Sequence, residues 1–519
     1  MPKRKLPPSF NYIAVDTACQ YEPVNLPTNP DEVGWAHVES LDRFLANQVD
    51  SSDIPQIKLV SRLGRLLEQW TKRKIFFEHQ ETESRDLFRV LAFADYLVQE
   101  KIIRGVTRRE NPTDFPQLVE FTVNVEPQGN TPTDGVPDPG TGHGASLSYV
   151  RALWKTLGEG AERYAQTRYL RRDFLVDTFA ELGEKRAINP NRLSAFSEEE
   201  KQKDSLRVVT ELSKFAWAEM KHIGTGQITL VPAQLMYYNY TLLGGESFLR
   251  QPISTGAAAH FVWEEALYSG LCEAIERDAY MIAYMNKLPL TRINIDKIRQ
   301  PDVARLVESF QRYGIRLEIL DMTTDIKIPS IIALGIDEQS DRGPAVGIGA
   351  KVDTDPLWAI RGAIEELWHT FSHTRLTCEQ NPSLVFRPWR NDQVIRATDH
   401  MLFWARPEMR KHVQFFLQKP KRPYRGPHEF AERRPVQQLE QTVSALERAG
   451  LSDIYYRDLT IPALGTVGYR VVYTLVPELT HMYLNEFMHA TGGIRLHTVP
   501  QKLGYKNPRQ LNQVPHPFA

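Results

Sequence analysis

The stretch from Ser254 to Lys287 constrains the fold most, because a helix drawn through it carries two incompatible faces. Leu267, Leu271, Ile275 and Ile282 recur at helical spacing and call for burial. Glu265, Ser269, Glu273, Glu276 and Tyr280 form a second stripe at helical steps, flanked by Arg277 and Asp278. Carboxylates stacked along one helix face repel one another unless a counter-charge lies between them, and a hard divalent cation is the natural one.

The same device occurs earlier in TLGEGAERY (Thr156 to Tyr164), where Glu159 and Glu162 stand three apart with Arg163 beside them. RGAIE (Arg361 to Glu365) is a third related piece. Together they offer carboxylates for magnesium and guanidinium forks for phosphate oxygens, the inventory of a nucleoside triphosphate site. A single Glu-x-x-Glu-Arg is ordinarily a solvated helix face. Two copies, each behind a hydroxyl residue and inside an otherwise apolar helix, are harder to read that way.

These residues carry a family resemblance. Ser254-Thr255-Gly256, Glu265, Ser269, Glu273 and Glu276-Arg277-Asp278-Ala279 resemble the second signature of the YcaO family, and Glu159, Glu162 and Arg163 resemble the first. The likeness runs on through residues 343–366, 458–479 and the tail LNQVPHPFA, and covers roughly residues 131–519. It implies a YcaO-like fold holding ATP and Mg2+, with Glu159, Glu162, Glu265, Glu273, Glu276 and Glu365 as metal and phosphate-region ligands. His143, Ser146, Arg163, Ser254, Arg277 and Arg361 are the implied nucleotide contacts. No Gly-Lys dipeptide occurs, which excludes a Walker loop, so side chains and metal must hold the phosphates.

The chain departs from the family pattern at three places. His143 stands where a Lys is frequent, Phe261 replaces a frequent Asn, and Trp368 replaces a common Gln. Phe261 cannot do an amide's work, and the Trp indole can only donate. The expectation is a rearranged nucleotide pocket, or weak affinity until a partner completes it.

At 519 residues the chain exceeds what one core usually organises. We expect a small, mostly helical or winged-helix-like N-terminal domain over residues 1–130, for docking or capping, and a catalytic domain over 131–519. Two helical stripes fall in the first, Ile57 to Trp70 and Leu87 to Val98, the second closed by Gly105, followed by a strand over Leu118 to Val125. Residues 126–146, dense in Pro and Gly, read as a linker or active-site loop, and 172–203 as an insertion. Helices over 147–168, 356–375, 400–417 and 436–449, and strands from IRLEILDM, IPSIIALGI and AVGIGAKV, give a mixed α/β (α+β) class.

A net charge of −1 argues against nucleic-acid binding through phosphate neutralisation. The three cysteines form no Cys-x-x-Cys pair, and no apolar run follows the basic N-terminus, so a cytoplasmic protein with no membrane span is expected. Glu365, His369 and His373 lie four apart on one helix and would suit zinc or iron, but the sequence shows no segment that clearly supplies a further ligand.

The proline-rich end resembles that of azoline-forming members, whose C-terminus reaches the active site; Pro517 and Ala519 are the catalytic positions so implied. The implied activity is heterocyclisation of Cys, Ser or Thr in a ribosomally made precursor peptide by phosphorylation of the backbone amide oxygen. The implied partners are a separate E1-like leader-recognition protein and a flavin-dependent azoline dehydrogenase, with a homodimer as one arrangement. The alternatives are thioamide or amidine formation on the same fold, or a non-catalytic scaffold.

Overall fold

The computed structural model describes residues 80–109, 115–126, 140–238, 240–242, 244–339, 344–380, 382–385 and 389–518. The helical stripe expected from Ile57 to Trp70 lies outside them. Helix α1 (Gln80–Gln99) buries Leu87, Val90, Leu91, Ala94 and Leu97, a stripe at helical spacing. Lys101 ends it in the left-handed conformation, φ 54°. Gly105, expected to close this segment, instead sits where the register of β1 (Ile103–Arg109) shifts.

β1, β2 (Val119–Val125) and β3 (Thr141–Ser146) form an antiparallel sheet. The expected domain boundary near residue 130 therefore falls between two strands that pair with each other. The glycines of TGHGAS, read as loop signals, belong to β3 and let it approach α2 (Tyr149–Gln166). A Cβ on Gly144 would lie 2.4 Å from the Ala152 carbonyl oxygen.

A second antiparallel sheet contains β4 (Leu175–Thr178), β5 (Lys214–His222), β6 (Ile228–Pro232) and β7 (Ala257–His260), with β13 (Tyr455–Asp458) and β14 (Arg470–Leu475) between β5 and β7. α3 (Trp263–Met285) packs on β7 and β14. The expected helix from Ser254 is thus a strand first and a helix nine residues later. Lys287, φ 49°, follows its end.

The third sheet runs β11 (Val346–Val352), β10 (Ser330–Asp337), β9 (Ile315–Asp321), β8 (Thr291–Asn294), with the short β12 (Lys421–Pro423) parallel to β8. α4 (Pro301–Arg312) starts with Pro301 under a Gln300 cap and ends before Gly314, φ 72°, as its sequence expects. α5 (Pro356–Gln380) lies on β10 and β11. Its backbone touches the strand so closely that a Cβ on Gly349 would lie 2.1 Å from Leu367 N.

The helix expected over 400–417 is α6 (Ala397–Trp404) and a tighter 3-10 run, Pro407–Leu417, because Pro407 disfavours helical geometry at Arg406. α7 (Pro435–Arg448) covers α3, and α8 (Ile494–Lys502) precedes the tail. No helix among the described residues is long and apolar enough to cross a membrane.

Candidate active site

Three helices bring five carboxylates together. On α2, Arg151, Lys155, Glu159 and Glu162 share one face. Glu159 accepts from Arg163 at 3.0 Å and from the backbone N–H of His143 at 2.7 Å. On α3, Glu273 accepts from Arg277 at 3.2 Å and from the Gly256 N–H at 3.1 Å. Arg277 also pairs with Glu276 at 3.0 Å. Glu366 arrives from α5, and Lys351 from β11.

The charges do not balance. Burial, then the Glu273 carboxylate, hold Glu162 up at about 8, with Arg163 and Lys351 pulling the other way. Glu276 and Glu366 are both pushed up by burial against the pull of Arg277 and Lys351; Glu366 adds to the rise at Glu276, and Glu273 to both. Burial would lower the Lys351 ammonium, but Glu276 and Glu366 hold it above its ordinary value. Among the described residues, five carboxylates (Glu159, Glu162, Glu273, Glu276, Glu366) thus face Arg163, Arg277 and Lys351, while Lys155, which also acts on Glu366, is paired with Glu365. The unmet charge is that of one divalent cation, so the donor set fits Mg2+, which favours carboxylate oxygen.

Beside this cluster stands a cationic one. Arg151, Arg361 and Arg433 place their guanidinium carbons 4.4, 5.5 and 4.8 Å from the Trp358 ring centroid. Burial, and then the Arg361 and Arg433 charges, lower Arg151 to about 10 against the pull of Glu365 and Asp302. Excess carboxylates beside a group of guanidiniums, of which Arg361 is paired with Glu365 and Asp302 and Arg433 with Asp353, match a metal ion next to an oxyanion chain.

The sequence-expected residues divide between these groups. Glu159, Glu162, Arg163, Glu273, Glu276 and Arg277 meet in the first. Glu365 does not: it is buried and accepts from Ser146 at 2.9 Å, Lys155 at 2.5 Å and Arg361 at 3.2 Å. Lys155 and two guanidiniums hold its carboxyl well below the usual range despite burial. Arg361 is further paired with Asp302 at 2.7 Å. Glu265, on the first turn of α3, stands roughly 12 Å along the axis from Glu273 and faces Arg433 at 3.9 Å. Ser254 is half-buried, and its carbonyl closes the turn before β7.

His143 gives its backbone to Glu159 but turns its ring toward His369 and His373. The other two departures are packing positions. Phe261 meets Phe93 of α1 at 5.2 Å between centroids, and the Trp368 indole donates to the Pro116 carbonyl at 2.7 Å.

The tail is seated in the body. The Pro515 carbonyl accepts from Trp404 Nε1 at 2.8 Å and the Tyr284 hydroxyl at 3.1 Å. Pro517 and Phe518 are buried, and the Arg277 guanidinium lies over the Phe518 ring. Ala519 lies outside the described residues.

Glu366, Lys351, Arg151, Lys155 and Arg433 were not singled out from the sequence. The α2 pair was legible, since Arg151 and Lys155 continue the Glu159–Glu162 stripe at steps of four. Lys351 and Arg433 carry no local signal.

A family profile described as YcaO cyclodehydratase, ATP- and Mg2+-binding, matches residues 142–480. An uncharacterized protein of Methanothermobacter thermautotrophicus is 26% identical over 271 residues, 51% of this chain and 66% of its own length. A solved heterocyclase in complex with substrate and cofactor superposes with a TM-score of 0.63 at 21% identity, covering 81% of this chain and 57% of that one. A YcaO protein of Methanopyrus kandleri bound with AMPPCP and Mg2+ gives 0.54 at 15% identity, with 82% and 94% covered. The chain therefore spans just under two thirds of the curated relative and little more than half of the heterocyclase.

Proposed function

This chain belongs to the YcaO family, and from that premise we propose that it is an ATP- and Mg2+-dependent cyclodehydratase acting on a ribosomally made precursor peptide. The observation that carries the reading is the two-charge deficit among Glu159, Glu162, Glu273, Glu276 and Glu366, set beside the Arg151, Arg361 and Arg433 group.

In the proposed reaction a Cys, Ser or Thr side chain of the substrate adds to the preceding amide carbonyl. The oxyanion so formed takes the γ-phosphoryl group of ATP and releases ADP, and expulsion of phosphate with loss of the amide N–H proton forms the C=N bond of a thiazoline or oxazoline. An amide oxygen leaves poorly, so phosphorylation supplies the leaving group. Bound Mg2+ would be held by the five glutamates and would neutralise phosphate charge.

The chain's own groups account for the rest. Arg151, Arg361 and Arg433 form a fixed field for developing negative charge, which costs no reorganisation during reaction. Glu365 sets that field by holding Lys155 and Arg361 in place. Pro517 and Phe518 bring the tail to Arg277, which supports a role for the C-terminus in placing the reacting amide. The heterocyclase of similar fold holds substrate and cofactor together, which supports a site that takes both. A separate leader-recognition protein, a flavin dehydrogenase and a cytoplasmic setting belong to the same proposal.

The test is the mass of the product. Precursor peptide incubated with the chain, its partner, ATP and Mg2+ should lose one water per ring formed. Replacement of oxygen by sulfur would point to thioamide formation instead, and ATP consumption with no change in peptide mass would contradict the proposal.

A further inference from the structure

One group of side chains outside the carboxylate cluster has the makings of a second metal centre. Glu120 on β2 and His143 on β3 are diagonal neighbours on the same face of their sheet, since Glu120 pairs with Ala145 and Thr122 with His143. That face meets α5, where His369 and His373 stand one turn apart. Their potential ligand atoms all lie within 4.8 Å of one another.

The spacing does not suit hydrogen bonding. Nε2 of His369 and Nε2 of His373 are each 3.6 Å from the same Glu120 oxygen, beyond a normal hydrogen bond. It does suit ligands around an ion, because tetrahedral bonds of about 2.0–2.1 Å to zinc put neighbouring ligand atoms about 3.3 Å apart. The ring centroids lie 5.2 Å (His143–His369), 4.7 Å (His143–His373) and 4.6 Å (His369–His373) apart.

Three buried nitrogens are left over. His143 Nδ1, His369 Nε2 and His373 Nε2 have no hydrogen-bond partner among the described residues. A buried nitrogen without a partner is costly, so three in one place need a reason. The outer contacts are already in place: Thr141 Oγ1 lies 2.6 Å from His143 Nε2, Ser372 donates to one Glu120 oxygen at 3.2 Å and Arg109 to the other at 3.1 Å. Such contacts orient metal ligands. Burial holds all three imidazoles below their ordinary value, leaving them neutral with lone pairs to offer.

The group formed by His400, Glu486 and His516 is different. His400 Nδ1 and Nε2 face the carbonyls of His516 and Leu484 at 2.6 and 2.7 Å, and His516 Nε2 faces that of Tyr483 at 2.6 Å. Those imidazoles fasten the tail.

We propose that Glu120, His143, His369 and His373 form a structural Zn2+ site that clamps α5 to the β1–β3 sheet. All four positions are filled by protein, as in structural rather than catalytic zinc sites. The clamp would fix α5 three residues beyond Glu366 and hold β3 where His143 supports Glu159. The three-histidine, one-carboxylate set distinguishes it from the all-carboxylate magnesium cluster.

The test reads metal directly and does not depend on cyclodehydratase activity. The full chain, purified without a polyhistidine tag, should carry close to one zinc per molecule by elemental analysis. After chelation it should take up one Co2+ with the intense visible absorption of a four-coordinate site, and excess Mg2+ should not displace it. His369→Gln with His373→Gln should lose both signals. If that variant does not fold, the wild-type chain decides: Zn2+ should protect His143, His369 and His373 from diethylpyrocarbonate, read by peptide mass. Failure to bind Zn2+ or Co2+, retention by a folded double variant, or unprotected histidines would overturn the proposal.

Discussion

The guanidinium carbon of Arg277 lies 4.1 Å from the centroid of the Phe518 ring. One end of this contact belongs to the central helix and pairs with Glu273 and Glu276, and the other is the last residue described in the tail. A shielded cation–π contact is worth about 1–2 kcal/mol. Phe518→Ala should therefore lower kcat/KM for peptide roughly 5- to 30-fold, while Phe518→Trp should retain most activity. Steady-state kinetics of the two variants check this, and equal loss in both would assign the effect to packing alone.

Glu365 and Glu366 are neighbours in sequence with opposite surroundings. Glu365→Gln removes the charge that Lys155 and Arg361 share, leaving cations uncompensated, and should destabilise the chain by about 3 kcal/mol. Glu366→Gln relieves repulsion with Glu276 and should leave the metal-free melting temperature unchanged or higher, yet weaken Mg2+-nucleotide binding. Thermal unfolding and calorimetric titration separate the two.

The metal-free cluster has a pH signature. Glu162 is held up at about 8 when folded, against an ordinary 4.5. Its contribution to stability is present below about pH 4.5 and is lost as pH rises through about 8. A divalent cation favours the ionised form, so Mg2+ should raise the melting temperature more at about pH 8.5 than at about pH 6. Melting curves with and without Mg2+ at both pH values check the sign.

Glu200 behaves in the opposite sense. Burial would raise it, but His489, the Ser197 N–H and the Thr491 N–H and hydroxyl hold it down at about 2. Its contribution is present above an unfolded value of about 4.5, is worth about 3 kcal/mol, and is lost as pH falls toward about 2. Glu200→Gln should be less stable at neutral pH and flatten the acid limb of the stability curve, as chemical denaturation across that range would show.

Much of the site was legible because helical periodicity is local. Glu159 and Glu162, and Glu273 and Glu276, each share a face by spacing alone, and the structure needed only to bring two helices together. Glu365 and Glu366 differ by about 100° around α5, and which of them meets α3 depends on how Gly349 lets the helix lie on β11. Phe261 and Trp368 read as altered pocket residues because their partners, Phe93 and Pro116, are far away in sequence. His143 joins His369 and His373 through strand pairing and helix docking, which no local pattern encodes. Short strands such as β7 before α3 were missed because their alanines fit a helix equally well.

The most direct test of the carboxylate cluster is Mg2+-dependent phosphate release by the full chain with precursor peptide and partner, beside Glu273→Gln and Glu276→Gln. The account predicts release that rises with peptide and is lost in either variant while both remain folded. Undiminished release in both folded variants, or no nucleotide binding by the wild-type chain under any of these conditions, would contradict it.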